Sequence, residues 1–451
     1  MISLFGILKA GAIFIMLSPT LKPKKLNYIL KDSGAITLIT QSNKSRIVEQ
    51  ATEGVAGLKN IVWTKKPVKQ SNAKVGIRNY FWAGLISPSQ DSFHKPYTSL
   101  IDLDLAAIIY TSGSTGDPKG VMSAHYNIIS AAGSITTYLE NTENDIILNP
   151  LPLSFDYGLY QVLMAFLIGG TVVIEKSFLY PYRVLERLVQ EQVTGFPIVP
   201  TMAALLFQME DINRLDFSCL QYITNTAAAL PVSHIRKLQQ LFPDTRIYSM
   251  YGLTECKRVS YLPPEELDQR PDSVGIPMPN EEVFIVDNKG RKLGPNEIGE
   301  LVVRGSNVMQ GYWNAARETK LRFKPGKHPR ETLLYTGDLF RRDNDGFLYF
   351  VGRTDDMIKT KGERVSPKEI ENCICELNGV SAAAVIGVPD DIFGQAVKAF
   401  VVLDRNNEKG ESDVLSHCQK NLESFMVPKY VQFRKQLPKT SSGKVDKKRL
   451  G

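Results

Sequence analysis

The chain is short of the patterns that mark several protein classes. Its 451 residues include only five cysteines, at 219, 256, 373, 375 and 418, with no C-x-x-C among them. An odd count in so long a chain argues against a disulfide framework. Cys373 and Cys375 stand two apart on an expected helix, where their side chains point to different faces, and both read as structural. Arginine-rich tracts and nucleic-acid modules are absent. The net charge of +7 therefore favours anionic partners through long-range attraction without implying nucleic acid. The most apolar stretch, residues 1–19, is interrupted by Lys9 and closed by Pro19. It reads as a helix followed by a buried strand over 12–17, not as a signal peptide or membrane anchor. No stable membrane insertion and a cytoplasmic location are expected. Repeats and low-complexity tracts are also missing.

What is present is an ordinary globular composition, 43% hydrophobic and 22% charged, in a chain too long for one core. Two or three domains are expected. The most informative stretch is Tyr110-Thr-Ser-Gly-Ser-Thr-Gly-Asp-Pro-Lys-Gly120, which directly follows the β-like run Leu105–Ile109. Backbone N–H groups, hydroxyls and one cation on a single loop suit a polyphosphate. It is not a Walker A loop, because Asp117 and Pro118 separate Gly116 from Lys119. A dinucleotide fingerprint fails too, since no G-x-G-x-x-G opens a helix here.

Four further motifs follow in order: Tyr251-Gly-Leu-Thr-Glu255, Tyr335-Thr-Gly-Asp338, Gly352-Arg-Thr-Asp355 continuing to Lys361-Gly-Glu-Arg364, and Pro438-Lys-Thr-Ser-Ser-Gly-Lys444. Together with the Ser/Gly loop they resemble the AMP-forming acyl-CoA synthetase, adenylation-domain and luciferase superfamily along essentially the whole chain. That resemblance implies an ATP-dependent acid–thiol ligase. A carboxylate resists thiol attack because oxide is a poor leaving group, so the acid is first joined to AMP with release of pyrophosphate, and the acyl group then passes to a thiol. CoA is the implied acceptor. Loading of an acid or amino acid onto a carrier-protein phosphopantetheine is the alternative.

Site residues are implied in the same way. Thr111, Ser112, Ser114, Thr115 and Lys119 would hold the β- and γ-phosphates, while Gly113 and Gly116 permit close backbone approach. Tyr251 is implied to stack near adenine, Thr254 to meet an α-phosphate oxygen and Glu255 to bind Mg²⁺, a hard ion suited to carboxylate and phosphate oxygens. Ala228, within Ala227–Ala229, belongs to a small-residue wall against adenine. Asp338 and Arg353 match the positions that bind the ribose hydroxyls, and Lys444 matches the lysine that reaches the α-phosphate and the substrate carboxylate. Asp355 holds the hinge position about which a small domain turns to bring in the loop Lys359–Arg364. Leu151-Pro-Leu-Ser-Phe-Asp-Tyr-Gly158 marks the substrate side. Its Asp156 occupies the place that receives the substrate ammonium in amino-acid-activating domains, and Gly158 departs from the serine usual there.

The expected fold is α/β. A large lobe, 1–352, combines helix-covered, mostly parallel sheets with a small β-barrel-like subdomain at about 272–351, and a mobile α+β lid spans 353–451. Alternation over 157–250 carries the parallel part: helices at 157–168, 181–192, 201–210 and 231–241 interleave with strands at 171–174, 195–199, 220–224 and 246–250. Short β runs at 282–286, 299–304 and 347–351 carry the barrel. In the lid, Ser366-Pro-Lys-Glu369 reads as a capping box opening a helix to 377. Strands at 382–388 and 396–403 and a helix at 412–422 complete it. In the family, a helix ending Lys-Ala-Gly lies well inside the first domain, so the chain is expected to lack part of the usual N-terminal region.

Overall fold

The computed structural model describes residues 1–65, 76–86, 99–111, 118–209, 211–226, 230–329, 331–354, 356–360, 363–390, 394–404, 407, 409–440 and 443–450. The chain forms two compact units, Met1–His125 with Met309–Thr319, and Tyr126–Val308 with Lys320–Gly451.

In the first unit, helix Ile2–Lys9 leads to Phe14. The strand expected over 12–17 reduces to one parallel bridge between Phe14 and Ala107. Phe14 N–H donates to the Ala106 carbonyl at 3.0 Å and its own carbonyl accepts from Ile108 N–H at 3.1 Å. Strands β1 (Thr37–Thr40), β2 (Asn60–Trp63) and β3 (Arg78–Phe81) form a parallel sheet over a core of Leu26, Leu30, Val48 and Trp63. Separately, β4 (Leu105–Thr111) and β5 (Lys119–Ala124) pair as an antiparallel hairpin with Thr111 opposite Lys119.

The second unit contains the seven-stranded sheet. Its strands are β6 (Ile146–Asn149), β7 (Thr171–Ile174), β8 (Gly195–Ile198), β9 (Tyr222–Asn225), β10 (Arg246–Tyr251), β11 (Ser260–Tyr261) and β12 (Ile276–Pro277), in the order β7-β6-β8-β9-β10-β11-β12. Pairing is parallel from β7 to β10 and antiparallel beyond. The expected helices are present at Asp156–Ile168, Pro181–Gln190, Pro200–Leu206 and Val232–Leu241. Helix Pro181–Gln190 shows why: proline pre-sets the first turn, and Val184, Leu185 and Leu188 share one buried face. It stops before residue 192 because Gln192 takes the left-handed conformation at φ 51°.

The barrel expectation needs correction. Strands β13 (Glu281–Val286), β14 (Gly299–Gly305), β15 (Phe323–Pro325), β16 (Thr332–Arg342) and β17 (Leu348–Arg353) form an open antiparallel sheet among the described residues, in the order β13-β14-β16-β15 with β17 also on β16. The long β16 supplies the reason. Its start pairs with β15 and its end with β17, so two short strands share its length and neither returns to β13 to close the sheet.

Beyond residue 353, strands β18 (Ile358–Thr360), β19 (Glu363–Val365), β20 (Val380–Asp390), β21 (Gly394–Leu403) and β22 (Tyr430–Phe433) form a mixed sheet, with helices Pro367–Glu376 and Glu411–Asn421. Ser366 Oγ accepts from Glu369 N–H at 3.3 Å, which bears out the expected N-cap. Cys373, Cys375 and Cys418 are buried, and all five cysteines are free thiols.

Candidate active site

The turn between β10 and β11 carries the Tyr-Gly-Leu-Thr-Glu motif. Tyr251 pairs with Ser260, and the chain between them folds back so tightly that Lys257 N–H donates to the Leu253 carbonyl at 2.7 Å and Val259 N–H to Tyr251 at 2.9 Å. Only glycine fits at 252: a Cβ there would lie 2.3 Å from the Lys257 carbonyl oxygen. Lys257 itself adopts φ 67°. The fold-back turns two cations inward, and Lys257 and Arg258 are only 7% and 4% exposed.

These side chains line a cleft of about 420 Å³, counted out to open solvent, together with Phe155, Asp156, Tyr157, Tyr160, Thr254 and Lys444. Asp156 opens its helix. One carboxylate oxygen accepts from Tyr157 N–H at 2.9 Å, and the other lies 3.9 Å from Lys257 Nζ. Gly158 has a packing role, since a Cβ would come within 2.5 Å of the Pro152 carbonyl oxygen. A serine would not fit this approach, which accounts for the departure from the family pattern. Lys257 Nζ and the Nε and Nη1 atoms of Arg258 are buried with no hydrogen-bond partner. The Arg258 guanidinium lies 5.3 Å from the Tyr157 ring centroid. Burial pushes the Lys257 ammonium down, against the pull of Asp156 and Glu255. Burial also raises the Tyr138 phenol to about 12, with Arg258 opposing.

A second cluster joins β10 to β16 and β17. Asp338 and Arg353 are cross-strand partners, and Arg353 Nε lies 3.2 Å from Asp338 Oδ1. The Tyr251 hydroxyl donates to Asp338 Oδ2 at 2.6 Å, a charge-assisted bond. The Tyr251 ring packs edge-on against Phe340, with centroids 4.8 Å apart. Burial raises the Asp338 carboxyl, and Arg353, Tyr251 and Lys444 draw it back.

Lys444 reaches this neighbourhood from a short hairpin. Lys439 bridges Val445, and Thr440 N–H donates to the Lys444 carbonyl at 2.8 Å. Gly443 turns the chain at φ 83°, and a Cβ added there would lie 3.5 Å from Val199 and Thr201. Left-handed backbone is open to glycine at no steric cost.

Asp156, Thr254 and Lys444 thus meet in one cleft, and Tyr251, Asp338 and Arg353 in one cluster. Glu255 acts electrostatically on both Lys257 and Arg353. In the first unit, Thr111 and Lys119 face each other where β4 ends and β5 begins, and Lys119 Nζ lies 5.7 Å from the Tyr312 ring centroid. Ser112, Gly113, Ser114, Thr115, Gly116, Ala228 and Asp355 lie outside the described residues. Sequence reasoning missed Lys257 and Arg258 as pocket residues. Their signal was a Lys-Arg pair directly after the motif and Cys256.

The AMP-binding enzyme model matches residues 1–313, and the model for the C-terminal domain of AMP-binding enzymes matches 369–444. The chain belongs to the AMP-binding enzyme family. This AMP-binding enzyme is 30% identical to the long-chain-fatty-acid–CoA ligase of Salmonella typhimurium over 472 residues, covering 100% of this chain and 82% of that one. Its structure resembles an anthranilate CoA ligase, AuaEII, in complex with anthranoyl-AMP, at TM-score 0.88 and 26% identity, over 99% of this chain and 84% of that one. ATP-bound MatB from Rhodopseudomonas palustris matches at TM-score 0.85 and 26% identity, over 99% and 84%. The expected acyl-CoA synthetase and adenylation superfamily and the α/β architecture are borne out, and the AMP-binding enzyme is an AMP-forming acid–thiol ligase. No described helix is long and apolar enough to cross a membrane.

Proposed function

We propose that the enzyme activates a small-molecule carboxylic acid at the Asp156–Thr254–Lys444 cleft and transfers the acyl group to CoA. A carboxylate oxygen attacks the α-phosphorus of ATP, the bond to the β-phosphate breaks and pyrophosphate leaves. The thiol sulfur then attacks the acyl carbon, and AMP departs with the C–O bond electrons. Lys444 neutralises charge between the entering carboxylate and the α-phosphate, and Thr254 donates to a phosphate oxygen. Asp338 and Arg353 hold the ribose, with Tyr251 beside adenine, while Thr111, Lys119 and the residues 112–116 between them hold the outer phosphates.

Glu255 fits Mg²⁺ as a single carboxylate that leaves the remaining positions to phosphate and water oxygens. When bound, Mg²⁺ supplies charge neutralisation on the phosphates.

In this reading the lid runs from 353, and its rotation about Asp355 replaces Lys444 with the segment at 359–364 before thiol attack. The convergence of Lys444, Thr254 and Asp156 on one cleft carries the proposal. Incubation with ATP, an acid and CoA should yield AMP, pyrophosphate and the acyl-CoA. Thioester formed only on a phosphopantetheinylated carrier would shift the acceptor to the alternative. ADP as the product would reject the reading.

A further inference from the structure

The charges in the cleft do not balance for a simple fatty or amino acid. With nucleotide bound, the proposed chemistry commits Lys444 to the α-phosphate and carboxylate, and Glu255 to Mg²⁺. What remains of the charged lining is Asp156, Lys257 and Arg258, one buried carboxylate and two buried cations. Lys257 Nζ stands 3.9 Å from Asp156 Oδ2, beyond hydrogen-bond range. Lys257 Nζ and Arg258 Nε and Nη1 have no acceptor, although both residues line the cleft. The Tyr160 hydroxyl is also without a partner, the Lys257 ammonium lies 5.6 Å from that ring's centroid, and Arg258 interacts with the uncharged Tyr138 phenol. A buried cation without an acceptor is costly to keep, and an anion placed against it recovers that cost.

Three substrate classes meet this arrangement differently. A plain aliphatic acid would seal the bare donors away from water and leave them unpaired. An α-amino acid would bring its ammonium to a carboxylate already facing Lys257, with Arg258 adding a second like charge. An acid with a second negative group would supply the missing acceptor, and the guanidinium fork matches a carboxylate in two-point geometry. We propose that Lys257 and Arg258 form a second anion site at the acyl end of the cleft, and that the enzyme selects carboxylic acids bearing a second anionic group. This inference rests on the proposed acid activation at the same cleft.

The test is acid-dependent ATP–pyrophosphate exchange by the full chain. The acids are the dicarboxylates from malonate to adipate, monocarboxylates and ω-amino acids of matching length, aryl acids with and without a second carboxylate, and the α-amino acids. A dicarboxylate should give the highest kcat/KM. Arg258→Leu should lower that value by ~30-fold or more, the scale for removing one partner of a buried charge pair, and Lys257→Met should lower it as well, so that the ratio of dicarboxylate to monocarboxylate falls in both. Preference for a monocarboxylate or an amino acid overturns the second anion site while leaving acid activation standing. A dicarboxylate preference that survives both substitutions, with ATP binding intact, also overturns the assignment. Exchange with no acid at all removes the underlying reading and this inference together. The wild-type ranking needs no variant, so it decides even where a substitution prevents folding.

Discussion

Replacing Gly252 by alanine should damage the enzyme far more than one methyl group suggests. The new Cβ would lie 2.3 Å from the Lys257 carbonyl oxygen, 3.0 Å from Arg258 Cα and 3.1 Å from the Lys257 carbonyl carbon. All three are backbone atoms inside a turn tied by Lys257 N–H to Leu253 and Val259 N–H to Tyr251, so no side chain can swing aside. Backbone at 252 is not left-handed, and the strain is purely steric. Relief needs a backbone shift on the order of 1 Å, at an overpacking cost of about 1–3 kcal/mol. For a chain of 451 residues that corresponds to a fall in thermal midpoint of about 1–3 °C. The same shift moves Thr254 and Glu255, and a displacement of this size costs ~100-fold in rate. Pyrophosphate exchange and a thermal melt on Gly252→Ala measure both quantities. Gly133→Ala is the control: no atom lies within 4 Å of the added Cβ, and the site is mid-helix, where alanine is favoured by about 1 kcal/mol. A Gly252→Ala enzyme as stable and fast as the Gly133→Ala control would refute the turn's steric role.

The Asp338→Asn enzyme should lose the charge-assisted bond from Tyr251 and the Arg353 partner, raising the KM for ATP by ~10-fold; an unchanged KM would remove Asp338 from the nucleotide site. Asp355→Pro should slow thioester formation while sparing pyrophosphate exchange, because a fixed φ stiffens the hinge; equal effects on both steps would count against a hinge at 355. His234, buried near Lys237 and Lys368, is held down to about 4 chiefly by desolvation. The unfolded chain therefore binds more protons between that value and the ordinary 6.5, and stability present above about pH 6.5 is lost as pH falls. Denaturation at pH 7 and pH 5 should differ by about 2 kcal/mol from this group, and His234→Gln should remove that component. Equal pH sensitivity in the variant would contradict the assignment.

The parallel sheet was legible because the βα alternation over 157–250 follows directly from burial on both faces, and each expected element there has a counterpart. Element ends were less legible. Local backbone geometry can set them, as with the left-handed Gln192 that ends its helix early. The barrel was misread because short β runs do not say which edge of the long β16 they will share. Among the cleft-lining residues, Asp156, Thr254 and Lys444 were singled out through motif chemistry. Lys257 and Arg258 were not, because a Lys-Arg pair after a turn reads as solvated, and only the close approach permitted by Gly252 turns it inward.

The most direct test of acid activation at the Lys444 cleft is the return of labelled pyrophosphate into ATP, compared between the wild-type chain and Lys444→Ala. The wild-type enzyme should exchange only when its acid is present. Lys444→Ala should fall by ~100-fold or more, the scale for losing one preorganised charge at a transition state, while still binding ATP. Exchange that is independent of acid, or undiminished in Lys444→Ala, would contradict the account.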